Sequence, residues 1–392
     1  MKYRNANYGH PILADGFTNF DYRLRNRIIT SMQYRFLKTF RFLNHWQALG
    51  SLFARISRRT IGGYVYSIKL EINTHCNLAC KMCYVPTVDT TLEYSLIENL
   101  FRQISNSGTR LEILGGEPML REDLPDIVRA AKAIGKVPFI SLYTNGIYAK
   151  KEKCADLKRA GLDAAIVTLI STNREIHGQF TGVRGSWEKT IQGIQNFRDA
   201  GIKTYTFSAV HAENKDETDE IQRFVTEELR VEPLFYQYIP QEQNDPLVID
   251  RKHWYQIKDN ILGKHSSHAA FVRDFEMLTG NACSGGNFVF TIKTDGSVQP
   301  CPFIYDLTLG NIRTDNFWTI FRNRYHQTQL MQLKSVPETC KECSYSSVCG
   351  GGCRAGHKML RGSYATPDFR CLGPYKDPIA TSCVTERIPC FF

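Results

Sequence analysis

Residues 66–83 read YSIKLEINTHCNLACKMC, a short strand pattern followed at once by three closely spaced cysteines. The spacing is Cys76-x3-Cys80-x2-Cys83, so a single loop supplies three thiolates. This donor set is typical of a [4Fe–4S] cluster, which normally takes four cysteines, and three would leave one iron open to a substrate or cofactor. A zinc site completed by His75 is the alternative, but two adjacent ligands on one ion would be cramped.

A regular alternation of strand and helix patterns surrounds this loop. Strands are predicted at 66–72, 111–114, 138–143, 164–170, 203–210 and 234–239, and helices at 95–106, 124–134, 150–160, 187–200 and 218–229. Six such repeats indicate a parallel sheet with right-handed crossovers. Because a closed barrel needs eight repeats, the predicted fold is α/β, a partial (β/α)6 barrel, with its site at the carboxyl ends of the strands.

The last third of the chain is rich in cysteine and has few long helices. Strands are predicted at 288–293 and 297–301, joined by a hairpin turn at Thr294-Asp295-Gly296. Ahead of the tail, the cysteines of this region are Cys283, Cys301, Cys340, Cys343, Cys349, Cys353 and Cys371. A pair of zinc knuckles is one interpretation of these cysteines, because two residues between Cys340 and Cys343 is a spacing that zinc sites also use. The predicted organisation is a basic helical segment 1–65, a barrel 66–240, a linker or bridging region 241–280 and a Cys-rich domain 281–392.

The composition excludes a mainly disordered or collagen-like chain, since 42% of the 392 residues are hydrophobic and 22% are charged. No apolar stretch of ~18 residues is present, and the polar start does not resemble a signal peptide. We therefore expect a cytoplasmic protein, in which most of the 13 cysteines bind metal rather than form disulfides.

The formal charge of +10 is concentrated in residues 1–60, which contain 11 Lys or Arg and only two acids, Asp15 and Asp21. The remainder is nearly neutral, so nucleic acid is not expected at the site. Apolar residues recur at helical spacing in this segment, at Leu24, Ile28, Met32, Phe36, Phe40 and Leu43. We interpret it as a helical cap with a solvated basic face. Peripheral association with the inner membrane face and docking of an acidic partner are the alternatives.

The three-cysteine loop after the first strand resembles that of the radical SAM superfamily. Gly115-Gly116-Glu117-Pro118 is similar to the family's GGEP motif, which meets the amino group of S-adenosylmethionine. Tyr143-Thr144-Asn145-Gly146 is similar to the turn near the cofactor, and Thr168 stands where many members carry a serine that contacts the cofactor. A basic residue for the cofactor carboxylate is also implied, with Arg184 and Lys189 as candidates. Each motif alone is an ordinary turn, but their order at successive strand ends is specific.

The resemblance implies an enzyme that cleaves S-adenosylmethionine to a 5′-deoxyadenosyl radical, which abstracts a hydrogen from the substrate. The electron is expected from an external flavodoxin or ferredoxin type of donor. A non-enzymatic electron carrier or zinc protein is disfavoured, because it would need neither an open iron nor cofactor motifs.

The C-terminal cysteines resemble the SPASM extension of this superfamily, which implies two auxiliary [4Fe–4S] clusters and three clusters in all. One auxiliary cluster would be held by Cys340, Cys343, Cys349 and Cys371, and the other by Cys283, Cys301 and Cys353. Some relatives carry a further cysteine ahead of the first position, but 274–282 contains none. The second cluster is therefore expected to have an open iron or a distant fourth ligand.

Two cysteines of the tail, Cys383 and Cys390, are catalytic candidates as hydrogen-atom donors or as the missing ligand. A plain tail cysteine is the alternative.

The stretch 168–190 is similar to the corresponding region of peptide-modifying SPASM enzymes. The expected substrate is a ribosomally made precursor peptide that is crosslinked, oxidised or epimerised. A small-molecule, carbohydrate or lipid-linked substrate, for example in a dehydrogenation, is the alternative.

Overall fold

The computed structural model describes residues 22–39, 64–86, 88–250, 253–254, 256–257, 283–343, 350–368 and 371. The N-terminal helix α1 spans Tyr22–Thr39. The barrel strands are β1 Ser67–Glu71, β2 Arg110–Leu114, β3 Ile140–Thr144, β4 Ala164–Thr168, β5 Lys203–Val210 and β6 Glu232–Gln237. The helices between them are α2 Tyr94–Ile104, α3 Leu124–Ala133, α4 Lys151–Ala160, α5 Arg174–Thr181, α6 Ser186–Asp199 and α7 Thr218–Arg223.

The six barrel strands lie side by side in chain order and pair in parallel, each with the next. This confirms the predicted α/β partial barrel. The predicted helix at 218–229 is α-helical only over Thr218–Arg223 and continues as a π-helical turn, Phe224–Glu228. The sequence interpretation missed α5 altogether.

Helix α5 has clear terminal signals. The Asn173 side chain accepts hydrogen bonds from the backbone N–H groups of Glu175 and Ile176 at 2.8 and 3.3 Å, and Gly182 ends the helix with φ +74°. An N-cap asparagine and a glycine eight residues after the helix start are the pattern that could have revealed it.

A second set of elements extends the same sheet. Strand β7 Val289–Ile292 pairs in parallel with β1, and the antiparallel strands β8 Ser297–Gln299 and β9 Gly310–Asn311 follow. The predicted hairpin is confirmed, but its attachment to the barrel edge was not expected. Helices α8 Phe317–Asn323, α9 Thr328–Lys334 and α10 Arg354–Arg361 complete this part. The predicted domain boundaries stay a prediction, although the sheet is continuous across them.

The alternation along the barrel strands separates the core from the barrel interior. In β1, Ile68 and Leu70 are fully buried in the hydrophobic core, while Ser67 and Lys69 line an internal cavity. Each fully buried Leu, Ile or Phe stabilises the fold by about 1.5–3 kcal/mol. Because the polar positions of the strands face inward, the barrel encloses polar and charged groups.

Helix α1 docks on the barrel through Asn26 and through Ile29, which is buried against Tyr64 and Phe288. The Asn26 side chain accepts a hydrogen bond from the Val65 N–H at 2.6 Å and donates to the carbonyls of Val65 and Ser107 at 3.0 and 2.9 Å. The apolar stripe of the helix points away instead, with Leu24, Ile28 and Met32 being 48%, 46% and 56% exposed. The exposed face of the helix is apolar as well as basic, and the role of this segment as a cap stays a prediction. Phe40 and Leu43 lie outside the described residues.

Candidate active site

A cavity of about 1240 Å³ lies inside the barrel. Two sets of thiols line it: Cys76, Cys80 and Cys83 from the loop after β1, and Cys283, Cys301 and Cys353 from the C-terminal part. The cavity also contains Gly115, Gly116, Glu117, Asn145 and Thr168. The structure therefore brings together most of the residues that the sequence singled out.

The loop after β2 packs directly on the backbone that precedes Cys76. The Gly116 N–H donates to the Asn73 carbonyl and the Glu117 N–H to the His75 carbonyl, both at 2.8 Å. A Cβ on Gly116 would lie 2.2 and 2.3 Å from the carbonyl oxygens of Thr74 and His75. Glycine is needed at position 116 because any side chain would separate the two loops.

We predict that Gly116→Ala weakens iron binding by the first thiol set and lowers the rate of S-adenosylmethionine cleavage by at least roughly 10-fold, since the added Cβ must displace backbone. Iron content and deoxyadenosine formation are the measurements. Gly178→Ala is the matched control, because the nearest atom to its Cβ is 3.5 Å away. Equal iron and equal rates in the two variants would contradict this packing argument.

The Glu117 carboxylate connects the loop after β2 to the loop after β3. It is 1% exposed and accepts hydrogen bonds from the Thr144 hydroxyl and the Asn145 N–H, both at 2.7 Å, and from the Met119 N–H at 2.9 Å. Burial raises the pKa of Glu117, although these donors oppose the shift. Pro118 opens the turn Pro118–Leu120 beneath it and does not line the cavity.

The Asn145 side chain reaches the cysteine loop. Its amide donates to the Asn77 side-chain oxygen at 3.0 Å and lies 4.0 Å from the Cys76 sulfur. Glu117 and Asn145 thus fix the position of the loop after β3 against the loop after β1.

Helix α5 holds the other side of the cysteine loop. The N–H groups of Ala79 and Lys81 donate to the carbonyls of Thr181 and Phe180, both at 3.0 Å. The helix also places His177 on the cavity wall. Burial lowers the pKa of His177 to about 4, so its ring is neutral, and its Nδ1 accepts the Ile170 N–H at 3.4 Å.

Arg184 and Lys189 are exposed, and neither lines the cavity. The structure does not bring these two side chains to the other motif residues, and their predicted contact with a cofactor carboxylate stays a prediction. His75, the alternative zinc ligand, also lies off the cavity wall, with its Nδ1 3.7 Å from the Asp89 carboxylate.

The first thiol set has the chemistry that a cluster requires. Burial raises the pKa of Cys80 to about 12, and the charges of Cys83 and Cys76 act in the same direction. Thiolates are the ligands of iron–sulfur clusters, so these three residues fit one. In the part of the chain that the structure describes, no three His, Cys, Asp or Glu side chains are grouped around a single metal-ion position.

In the second thiol set, the neighbouring cysteines likewise affect the pKa of Cys301. Burial raises the pKa of Cys301 to about 12, with further contributions from the charges of Cys283 and Cys353. At Cys283, burial is outweighed by Lys334, whose Nζ lies 3.3 Å from the sulfur, and the pKa is lowered. An ammonium group against the sulfur stabilises a thiolate, the form that binds iron.

The remaining cysteines lie away from this cavity or outside the description. Cys340, Cys343 and Cys371 do not line the cavity. Cys349 and the tail residues Cys383 and Cys390 lie outside the described residues. The assignment of Cys340, Cys343, Cys349 and Cys371 to one cluster, and of Cys383 and Cys390 to catalysis, stays a prediction.

Two family models match the chain. Residues 70–225 match the radical SAM superfamily, and residues 283–344 match SPASM, an iron–sulfur cluster-binding domain. Residues 70–225 therefore form a radical SAM domain, and residues 283–344 form a SPASM domain. Members of this superfamily bind S-adenosylmethionine and a [4Fe–4S] cluster, and Cys76, Cys80 and Cys83 fit that cluster.

Curated relatives share about a quarter of their residues with this chain. The AdoMet-dependent heme synthase of Oleidesulfovibrio alaskensis is 26% identical over 80% of this chain and 89% of the relative. The PqqA peptide cyclase of Xanthomonas euvesicatoria is 25% identical over 78% of this chain and 87% of the relative.

Solved structures share the fold. AnSMEcpe with bound AdoMet and the Cp18Cys peptide has a TM-score of 0.61 at 19% identity, covering 78% of this chain and 93% of that chain. Streptococcus suis SuiB bound to its precursor peptide SuiA has a TM-score of 0.63 at 16% identity, covering 82% of this chain and 79% of that chain.

Proposed function

We propose that this protein abstracts a hydrogen from a ribosomally made precursor peptide, in a reaction that crosslinks, oxidises or epimerises the peptide. The observation that carries the proposal is the single cavity that both thiol sets line. Its volume of about 1240 Å³ is shared by the cofactor and the substrate. A peptide segment that enters the barrel would meet both sets.

The relatives support a peptide substrate. A PqqA peptide cyclase is among the curated relatives, and two structures of similar fold hold a peptide. In keeping with these, we propose three [4Fe–4S] clusters, a flavodoxin or ferredoxin type of electron donor, and a cytoplasmic oxidoreductase.

In this proposal, separate groups of residues bind the cofactor and the clusters. S-adenosylmethionine with its cluster would supply the radical chemistry for hydrogen abstraction from the substrate. Cys76, Cys80 and Cys83 would hold this cluster, and the backbone of Gly115 and Gly116 with Asn145 would border the space for the cofactor. Cys283, Cys301 and Cys353 would hold an auxiliary cluster at the same cavity. The barrel wall shields the reacting groups from water.

A small-molecule substrate is the second candidate. The observation in its favour is the presence of AdoMet-dependent heme synthases among the relatives, with 25–26% identity. Tetrapyrroles are rigid and planar, whereas a peptide is extended and flexible, so the two candidates make different demands on the same cavity.

One experiment separates the two candidates. The anaerobically reconstituted protein is incubated with S-adenosylmethionine, a reductant and either the peptide encoded beside its gene or an iron-bound tetrapyrrole. Peptide modification is expected to appear as a loss of two hydrogens or as deuterium uptake from the solvent. Conversion of the tetrapyrrole with an unchanged peptide would favour the second candidate.

We further propose that α1 lies on an anionic membrane surface. One face of the helix is occupied by the barrel, while Leu24, Ile28 and Met32 form an exposed apolar stripe beside the exposed Arg27. An apolar stripe flanked by basic residues favours the interface of an anionic bilayer. Among the described residues, no helix is long and apolar enough to cross a membrane.

Binding to vesicles tests this proposal. Co-sedimentation is expected with phosphatidylcholine vesicles that contain phosphatidylglycerol and not with phosphatidylcholine alone. Replacing Leu24, Ile28 and Met32 together by glutamine should reduce binding by roughly 10-fold or more, since three apolar side chains leave the bilayer. Val88→Gln, at a site 67% exposed elsewhere on the surface, is the control. Equal binding by both variants would contradict the assignment of this stripe.

A further inference from the structure

A charged pair sits inside the barrel below the cysteine loop. Lys69 of β1 and Glu112 of β2 are directly opposite each other in the strand register, and their side chains form an ion pair. Both side chains face the cavity and are 21% and 19% exposed. Burial removes water from both charges, which costs free energy. A functional role for the pair would explain why the chain retains it.

The fold itself does not require this pair. The parallel sheet is held by backbone pairing and by apolar residues on its outer face, such as Ile68 and Leu111. The cofactor motifs do not use it either, since they lie at the strand ends and the pair lies within the strands. A charged pair in a cleft is a candidate for a functional role.

Aromatic side chains lie near the pair. The Lys69 ammonium lies 5.3 Å from the centre of the Tyr143 ring, and Tyr236 stacks on Phe207 with ring centres 5.2 Å apart. Burial acts to raise the pKa of Glu112, but Lys69 and nearby hydroxyl groups outweigh it and the pKa is lowered. The carboxylate is therefore ionised at neutral pH.

The pair carries no net charge, which restricts the ligands that it can bind. A substrate carboxylate that approached Lys69 would be repelled by Glu112, and a cationic group would be repelled by Lys69. Arg110, one layer lower, is held between the rings of Tyr66 and Phe139 at 4.8 and 5.4 Å. A neutral group with one donor and one acceptor side by side matches an ammonium next to a carboxylate.

We propose that Lys69 and Glu112 bind the backbone N–H and C=O of one extended residue of the precursor peptide beside the reacting residue. The N–H and the C=O of an extended residue point to the same side, as they do in strand pairing. The Lys69 ammonium donates to this carbonyl, and the Glu112 carboxylate accepts from this N–H. The rings of Tyr143 and Tyr236 pack against the peptide backbone. This inference rests on the proposed peptide substrate and names the part of the peptide that the barrel interior recognises.

A chemical substitution in the peptide tests the contact to Glu112. An ester in place of the amide that carries this N–H removes the donor and keeps the shape. With the wild-type holoenzyme the ester peptide is expected to have a KM about 10-fold higher than the amide peptide. With Glu112→Met, which presents no acceptor for the N–H, the difference between the two peptides should shrink to about 2-fold or less.

A second pair of variants provides the control. Lys69→Met/Glu112→Met should raise the KM of the amide peptide by about 10-fold or more. The control is Lys203→Met/Glu232→Met, which removes another Lys–Glu pair between neighbouring strands, 3.3 Å apart at an exposed position. It should leave this KM unchanged. A structural role alone would change the melting temperature and leave the amide and ester peptides equally affected.

The outcomes separate the two levels of the proposal. No modification of the peptide by the wild-type protein would overturn the peptide substrate, and the amide contact with it. Modification by the wild type with an unchanged ratio of amide to ester KM in Glu112→Met would overturn the contact and leave the peptide substrate standing.

Discussion

Replacing Cys80 by alanine is expected to abolish deoxyadenosine formation and to remove about four irons per chain, because the first cluster loses one of only three protein ligands. Cys80 lies between Cys76 and Cys83 in the loop, and its thiol lines the cavity. Iron analysis and deoxyadenosine quantification by chromatography are the measurements.

Cys154→Ala is the matched control for this variant. Cys154 is fully buried in the core of the barrel and is not part of the cavity wall. It should keep the wild-type iron content and form deoxyadenosine. Full activity of Cys80→Ala would show that the loop after β1 does not hold the radical-generating cluster.

Cys301→Ala is expected to separate cofactor cleavage from product formation. Deoxyadenosine should still form at a measurable rate, while modified peptide falls by roughly 10- to 100-fold. The reason is that Cys301 belongs to the second thiol set and not to the loop after β1, which would hold the radical-generating cluster. The ratio of deoxyadenosine to modified peptide is the quantity to measure.

The same ratio also distinguishes the two thiol sets. Cys301→Ala should raise it, whereas Cys80→Ala removes both products. If deoxyadenosine vanished in both variants, the C-terminal cysteines would be needed for cofactor cleavage itself, and the proposed division between the sets would be wrong.

Local sequence patterns predicted the parts of this structure that depend on neighbouring residues. The strand periodicity in SIKLE, the glycines at 115 and 116 and the hairpin turn at 294–296 each act over a few residues, and each is present as expected. The cysteine spacing likewise indicated the loop that borders the cavity.

Contacts between distant residues could not be predicted in this way. Strand β7 pairs with β1 although more than 200 residues separate them, and this pairing brings Cys301 to the same cavity as Cys80. Lys69 and Glu112 lie opposite each other because of the register between β1 and β2. The sequence pattern of a single strand does not determine this register.

The face by which a helix docks is another property of the tertiary structure. The spacing of Leu24, Ile28 and Met32 predicted a helix correctly, and the usual expectation is that such a stripe is buried. Here the Asn26 hydrogen bonds to Val65 and Ser107 select the opposite face. Arg184 illustrates the same limit, since a charged residue near a motif in sequence is exposed outside the cavity in the fold.

Transfer of a hydrogen isotope tests the central claim most directly. The holoenzyme is incubated with S-adenosylmethionine, a reductant and a precursor peptide that is deuterated at all its carbon positions, and the deoxyadenosine is analysed by mass spectrometry. We expect singly deuterated deoxyadenosine together with a modified peptide. Unlabelled deoxyadenosine and an unchanged peptide would contradict hydrogen abstraction from a peptide by this protein.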